Sequence, residues 1–189
     1  MFRKIAFRIA VLVLLSLLIN GCLTTENKLY SFKINPDGSG SGTVIFENIV
    51  SEEDEGKDVS FDDFGELIDD YVNGTVFETD NPGYNIKRKE IYEENGKLYG
   101  KFVFTFDNLE DAGFYRYEDC SCAPVMYYMG SLSETLLDTN GNYLGYDRDF
   151  PIIVWPANAT EFSFKTNVKE DMSDAHSLLP LYKTWKENQ

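Results

Sequence analysis

Two cysteines with one serine between them, Cys120 and Cys122, are the residues whose type and spacing most directly suggest chemistry. Such a pair can close a small disulfide ring, stay as two thiols, take part in thiol exchange or supply two metal ligands. One histidine and a single other cysteine, Cys22, are too few to complete a zinc set. A disulfide and two thiols stay open as alternatives, and redox exchange is the less favoured interpretation.

The single histidine and the many acids do not form a recognisable catalytic group. His176 has Asp174 and Ser177 as neighbours, but a catalytic triad needs groups that converge on a pocket from separate parts of the fold. Residues 47–70 contain eleven acids and one cation, a composition typical of a solvated surface. We therefore predict that the protein is not an enzyme, with a hydrolase that uses an unrecognised carboxylate pair as an alternative.

The turn at residues 138–142, with Asp147 and Asp149 after it, shares part of the EF-hand calcium pattern. The sixth position, which requires glycine, is Tyr143, and the twelfth is Asp149 where the pattern has Glu. A hairpin turn explains the same residues. We predict no metal and no cofactor, with calcium binding left open as the alternative.

The segment from Phe114 to Tyr128 is rich in aromatic residues and could form a stacking platform for sugars or peptides. Tyr127 and Tyr128 are adjacent, so they point to opposite faces if they lie in a strand, and at least one is a candidate for ligand contact. Packing in the core is the favoured interpretation of the segment as a whole. Glycan or small-ligand binding is the alternative.

A sheet must position these residues, because several short segments alternate apolar and polar side chains. Residues 29–35 and 43–49 predict two strands joined by a glycine-rich turn. A second hairpin is predicted around Asn95 and Gly96. We predict a three-residue loop there, which pairs Ile86 with Phe104 and Tyr92 with Leu98, because this register buries apolar residues against apolar residues.

The remaining elements complete an α+β fold built on a mainly antiparallel sheet of about seven strands in hairpins. Apolar spacing predicts two or three helices, at about 60–73, 108–113 and 179–187, and Ser60 and Asp63 suit a capping box for the first. Alternation and turn residues predict the other strands, which are a short strand at 75–79, a hairpin of 132–137 with 143–146, and strands at 152–155 and 161–167.

The first 22 residues predict export. Residues 1–8 carry three cations and no acid, and residues 9–19 are apolar except for Ser16. This order is typical of a secretory signal peptide, and eleven residues of helix extend only about 16 Å, too short to cross a bilayer. The sequence Ile19-Asn20-Gly21-Cys22 then resembles the lipobox of bacterial lipoproteins. The resemblance implies cleavage after Gly21 and a lipid on Cys22, which would attach the protein to a membrane permanently.

These observations predict a signal peptide at 1–21, a lipidated Cys22 with a short tether to residue 28, and a single domain at 29–189. Without residues 1–21 the chain keeps 14 basic against 32 acidic residues, a net charge of −18. Phosphate backbones repel such a chain, so nucleic acid is excluded as a partner. We predict a lipoprotein of the bacterial cell envelope whose partner is another envelope protein or a glycan. Leu23, and not Asp, follows Cys22, and by the same resemblance this implies the outer membrane facing the periplasm, with the inner membrane and the cell surface left open as alternatives.

Overall fold

A computed structural model describes residues 22–117, 120, 122–132, 134–145 and 151–189. The fold is α+β with a mainly antiparallel sheet, which confirms the predicted class. Seven strands form the large sheet in the order β3-β4-β2-β1-β10-β7, and β11 pairs with the far end of β2. These strands are β1 (Leu23–Ile34), β2 (Gly40–Glu52), β3 (Asn85–Glu94), β4 (Lys97–Phe106), β7 (Thr135–Thr139), β10 (Glu161–Asn167) and β11 (Ala175–Ser177).

Strand β1 corrects the predicted tether. It begins at Leu23, directly after Cys22, and pairs with β2 from Leu23 to Ile34 and with β10 from Asn27 to Lys33. Thr25 is buried there, and its hydroxyl donates to the carbonyl oxygen of Glu47 on β2 at 2.6 Å. Residues 23–28 are therefore part of the sheet, because backbone pairing with β2, and with β10 from Asn27 onward, satisfies their N–H and C=O groups.

The predicted β3–β4 register is correct at one end and wrong at the other. Ile86 pairs with Phe104 as predicted, but Tyr92 pairs with Tyr99, and the hairpin turns through two residues. Asn95 and Gly96 both have positive φ angles, the conformation of a tight type I′ turn. An irregularity after Ile86 changes the register by one residue, so both ends of the strand keep favourable partners.

The helix predicted at 60–73 is present in two parts, an α-helical segment α1 (Ser60–Glu66) and a π-helical continuation (Leu67–Val72). The predicted capping box is absent; the carboxylate of Asp58 accepts a hydrogen bond from the backbone N–H of Ser60 at 2.9 Å instead. The strand predicted at 75–79 is a short helix, α2 (Val76–Asp80), which buries Phe77. The helix α3 (Leu179–Glu187) lies where it is predicted, and the helix predicted at 108–113 is a three-residue 3₁₀ turn (Glu110–Ala112).

A second, four-stranded sheet replaces the hairpin predicted for 132–137 with 143–146. Strand β7 joins the large sheet, whereas the segment that follows its turn joins the small one, so the two do not pair. The chain crosses between sheets at this turn, a step that local alternation does not encode. The small sheet has the order β5-β6-β9-β8, formed by β5 (Phe114–Arg116), β6 (Val125–Tyr128), β8 (Asn142–Tyr143) and β9 (Ile152–Trp155).

One face of the large sheet is covered by two separate layers. The small sheet covers one end with an aromatic core that includes Trp155, Phe114 and Phe162. The helices cover the other end with a second apolar cluster that includes Phe64, Leu67 and Leu178. The space between these two layers positions the site described next.

Candidate functional site

A cavity of about 440 Å³ lies between the helical layer and the small sheet, over the middle of the large sheet. Strands β1, β2 and β4 form its floor, the π-helical segment and α2 form one wall, and Tyr127 and Leu132 lie on the opposite side. Its volume falls within the range typical of small-molecule sites. Because the three walls come from distant parts of the sequence, only the folded chain assembles the cavity.

Most of the cavity surface is apolar or aromatic. Thr24, Thr25, Lys28, Asp80 and Asn81 contribute the polar groups. The apolar and aromatic residues that line it include Leu23, Tyr30, Val44, Phe46, Ile49, Leu67, Tyr71, Phe77, Tyr84, Ile91, Phe102, Tyr127, Leu132 and Val168.

Gly100 lies in the floor of the cavity and lets the side chain of Ile49 pack closely over the backbone of β4. It lies in β4 between Phe102 and Leu98 and pairs with Phe46 on β2. A Cβ atom at this position would lie 3.1 Å from Cδ1 of Ile49, closer than ordinary van der Waals contact. Glycine is therefore required for this close approach of Ile49, and it puts no side chain of its own into the cavity.

Burial of the tyrosines around the cavity keeps their hydroxyl groups neutral. Burial raises the pKa of Tyr127 to about 12, with a smaller contribution from the charge of Glu134. Burial likewise raises the pKa values of Tyr30 and Tyr84 far above the usual range for tyrosine. The ring of Tyr84 stacks on Phe104 with 3.8 Å between ring centroids. These rings offer apolar surface to a bound molecule, with hydroxyl groups that stay uncharged at all physiological pH values.

A polar network at the side of the cavity centres on Glu134, whose side chain is 5% exposed. Lys28 forms an ion pair with it at 2.7 Å, and Thr166 donates a hydrogen bond at 2.6 Å. The hydroxyl of Tyr30 donates a third, weaker bond at 3.3 Å. The network satisfies a buried carboxylate and neutralises the one cation that lines the cavity within the described residues.

The helical end of the cavity lies beside Cys22. The carbonyl oxygen of Cys22 accepts a hydrogen bond from the backbone N–H of Glu52 at 2.8 Å. Burial raises the pKa of its thiol, and the charges of Asp63 and Asp54 raise it further. Leu23, the next residue, lines the cavity. The predicted lipidation site and the cavity are thus neighbours in the fold.

The predicted cysteine pair is joined in a disulfide, with 5.0 Å between the Cα atoms of Cys120 and Cys122.

Tyr127 and Tyr128 point to opposite faces of β6. Tyr127 packs on Phe164 and lines the cavity. Tyr128 is 51% exposed on the outer face of the small sheet.

Other sequence candidates are engaged in structural contacts. His176 lies on β11 and contacts Glu53 at 3.2 Å, on an exposed surface. Asn140, in the turn considered for calcium, accepts hydrogen bonds from the indole N–H of Trp155 at 2.7 Å and from Ser163 at 2.9 Å. Asp147 and Asp149 lie outside the described residues. Within the described part of the chain no three His, Cys, Asp or Glu side chains are placed to hold a metal ion.

The sequence does not predict the cavity or the network around Glu134. Lys28 and Glu134 are 106 residues apart and carry no shared motif. An available signal was the glycine in β4, since an isolated glycine within a strand indicates a close approach or an opening. Comparison with known proteins adds no further signal, because no family model, no curated protein and no solved structure matches the chain.

Proposed function

We propose that this protein is a non-catalytic lipoprotein of the bacterial cell envelope that binds an apolar ligand in the cavity over its large sheet. The observation that carries the proposal is the cavity itself, which has a volume of about 440 Å³ and a mainly apolar and aromatic lining. A space of this size has a cost in stability, since its lining atoms lose contacts on one side. A bound ligand would restore those contacts.

The polar groups of the lining favour an uncharged ligand with a long apolar part. Lys28 is neutralised by Glu134, so it offers little attraction to an anion. Asp80 and the strongly acidic surface repel anions further. Thr24, Thr25 and Asn81 offer uncharged hydrogen-bonding groups at the edges of the apolar surface. A neutral lipid or another uncharged apolar molecule fits this combination.

The proposed anchor places the cavity close to a source of such ligands. The lipobox at residues 19–22 supports lipid attachment at Cys22, and β1 begins one residue later. Because no tether separates Cys22 from the sheet, the end of the cavity lined by Leu23 would lie near the membrane surface. None of the helices in the described residues is long and apolar enough to cross a membrane. We place the protein on the outer membrane, facing the periplasm, because Leu23 and not Asp follows Cys22.

A titration in the absence of detergent tests ligand binding. The leader and Cys22 are replaced by a signal peptide that is removed without lipidation, and the exported chain is titrated with N-phenyl-1-naphthylamine, a neutral apolar fluorophore. We expect saturable binding of one fluorophore per chain, with competition by neutral lipids and weaker competition by fatty acid anions. Fluorescence that rises without saturation, as it does for unspecific surface binding, contradicts the proposal.

Fractionation tests the anchor separately. In cells that express the full chain, the protein is expected in the membrane fraction with the mass of a lipid on Cys22. The Cys22→Ala variant is expected to lose that lipid mass. If the masses of the wild type and Cys22→Ala differ only by the substitution itself, Cys22 carries no lipid and the anchor proposal is wrong, whatever the cavity binds.

A second candidate function uses the outer face of the small sheet. Tyr115 and Tyr128 lie on this face with Met126 between them, and both tyrosines are about half exposed. Exposed tyrosine rings are suited to contact with a neutral glycan or another envelope protein. Loss of glycan binding in Tyr128→Ser, with ligand binding in the cavity unchanged, would assign this function to the outer face. The absence of catalytic activity remains a prediction.

A further inference from the structure

Lys89 is a charged residue on the side of the large sheet that faces the cavity. It lies opposite Phe102 in the pairing of β3 with β4, and Phe102 lines the cavity. The Lys89 side chain is 10% exposed, and its Nζ atom lies 5.9 Å from the centre of the Phe102 ring. Burial of an unpaired ammonium group is costly, so a lysine at this position needs a partner.

The irregularity in β3 is what turns Lys89 inward. Ile86 pairs with Phe104, but the next pair is Arg88 with Val103, so Lys87 is an additional residue in β3. In an uninterrupted ladder the side chains alternate, and Lys89 would then point to the solvent side of the sheet. Bulges of this kind re-aim a side chain and are frequent beside functional sites.

Both partners of Lys89 belong to the segment that forms a wall of the cavity. The ammonium group donates to the carbonyl oxygen of Gly74 at 2.5 Å. It also lies 2.9 and 3.0 Å from the two carboxylate oxygens of Glu78, a residue of α2. Phe77 and Asn81 of the same segment line the cavity. Lys89 therefore ties this wall to β3.

The helix α2 has little buried surface of its own. It is five residues long, and Phe77 is the residue in it that is buried. The ring of Phe77 packs edge-on against Phe102, with 4.7 Å between the ring centroids. Segments with few buried apolar contacts open at a low cost in free energy, and lids of binding sites are drawn from them. The attachment by Lys89 is therefore a large part of what holds α2 down.

The two ends of this segment are fixed by close backbone packing. A Cβ atom at Gly74 would overlap the backbone of Asp70, and a Cβ atom at Gly83 would overlap the backbone of Asp111. Movement of the wall is thus confined to residues 75–82. It leaves no charge buried, because Glu78 is already 30% exposed and the departure of α2 exposes the ammonium group of Lys89 to water.

We propose that Lys89 is a positioning residue that holds α2 over the cavity and thereby sets the rate at which the ligand enters and leaves. This inference rests on the ligand binding proposed above. When the ion pair with Glu78 breaks, residues 75–82 move away from the sheet between their fixed ends, and the cavity opens towards the edge formed by β3.

Stopped-flow fluorescence of N-phenyl-1-naphthylamine with the exported, unlipidated chain tests this role. Lys89→Met removes the charge and keeps the length of the side chain. We expect its association and dissociation rate constants to rise together by about ten-fold, because loss of a hydrogen bond to a charged group favours the open wall by that order. The dissociation constant should then stay within about two-fold of the wild type, since the open wall serves entry and exit alike.

Two further variants serve as controls. Lys89→Arg keeps the positive charge and should bring both rate constants back towards the wild-type values. Lys87→Met changes an exposed lysine of the same strand and should bind and release the fluorophore like the wild type.

Hydrogen exchange measures the opening of α2 without a ligand. The backbone N–H groups of Thr79 and Asn81 donate to the carbonyl oxygens of Thr75 and Phe77 at 3.0 and 3.1 Å. In Lys89→Met these two amides should exchange faster than in the wild type. The N–H of Asn73, at the end of the π-helical segment, should exchange at an unchanged rate.

The outcomes separate this inference from the proposed function. Equal rate constants in the wild type and Lys89→Met overturn the role of Lys89 and leave ligand binding in the cavity intact. A faster dissociation alone, with a weaker dissociation constant, shows that Lys89 only supports the structure of the site and also overturns the inference. A wild type that binds no fluorophore overturns both. If Lys89→Met does not fold, Glu78→Gln breaks the same ion pair from its exposed side and is judged by the same outcomes.

Discussion

The two layers that cover the large sheet differ in how they pack, although each encloses one polar side-chain atom without a partner among the described residues, Nε of Arg116 in the small sheet and Oδ2 of Asp63 under the helices. Under the small sheet, aromatic rings pack on one another, as when Trp155 stacks on Phe162 at 4.8 Å, and the indole N–H of Trp155 has its partner in Asn140. Under the helices, a π-helical segment covers part of the sheet and Asp63 keeps an unpaired oxygen. The cavity lies along the border between the two layers.

This difference separates a region that stabilises the fold from a region suited to binding. Dense aromatic packing makes each side chain costly to remove and leaves no space for a ligand. Incomplete packing persists where function requires it, and π-helical turns are frequent at functional sites. We infer that the small-sheet end holds the domain together and the helical end carries its activity.

The largest effect is expected from truncation at the small-sheet end. Trp155→Ala removes a ring that is almost wholly buried, so it should lower the free energy of unfolding by about 3–5 kcal/mol. Urea denaturation measures the loss. Tyr128→Ser, on the outer face of the same sheet, is the control and should change stability by less than about 0.5 kcal/mol. If Trp155→Ala has no greater effect than the control, the small sheet does not have the stabilising role assigned to it.

A smaller effect is expected at the border between the layers. Glu134→Ala leaves Lys28 without its counter-ion and Thr166 without its acceptor, and should cost about 2 kcal/mol. The cost is lower than for a fully buried pair because the Lys28 side chain is 24% exposed, so water replaces part of the interaction. Glu134→Gln keeps an acceptor for Thr166 and should cost less. If Glu134→Ala and Glu134→Gln lower the free energy of unfolding equally, the acceptor that Glu134→Gln keeps for Thr166 does not contribute to stability.

Reduction of the disulfide should have a still smaller effect. Cys120 and Cys122 enclose only one residue, and a cross-link that closes so short a loop constrains the unfolded chain least, by about 1.5 kcal/mol or less. Thermal unfolding with and without a reductant measures this, and the double Cys→Ser variant should match the reduced protein. A loss of stability as large as that of Trp155→Ala would contradict this prediction, because constraint of so short a loop cannot account for it.

The smallest effect is expected from Asp63→Asn, and it has the opposite sign. Since burial raises the pKa of Asp63, the folded state holds its proton more tightly than the unfolded state, and stability is lost as pH rises from the ordinary pKa of about 3.8 through the raised value. In a chain that is not processed at Cys22, Asp63→Asn should therefore be more stable than the wild type at pH 7 and equal to it at pH 3. Urea midpoints at the two pH values test this. A variant that is less stable than the wild type at pH 7 would contradict the unfavourable burial of the Asp63 charge.

The extent to which the fold could be predicted follows from the range of the interactions. Local alternation was sufficient for Tyr30, Phe32 and Ile34 in β1, and helical spacing with Pro180 was sufficient for α3. The register of β3 and β4 was only partly predictable, because a turn with Asn95 and Gly96 competed with burial and an irregularity within the strand accommodated both.

Long-range placement could not be predicted at all. The segments on either side of the turn at Asn140 belong to different sheets because Trp155 and Ser163 both bond to that side chain. The cavity likewise depends on Lys28, Tyr84 and Leu132, which no local pattern connects. The sequence predicts lipid attachment at Cys22 from a contiguous signal, whereas the cavity next to it is assembled only by the fold.

The most direct test of the central claim is the ligand content of matched cavity variants. Leu132→Trp adds bulk inside the cavity, whereas Leu137→Trp adds the same bulk at a position that is 54% exposed and lies outside the lining. Each unlipidated chain is purified from the envelope without detergent, and the molecules extracted from it are quantified by mass spectrometry. We predict about one uncharged apolar molecule per chain in the wild type and in Leu137→Trp, and a loss of most of it in Leu132→Trp. Equal ligand content in all three chains, or none in any of them, would contradict the account.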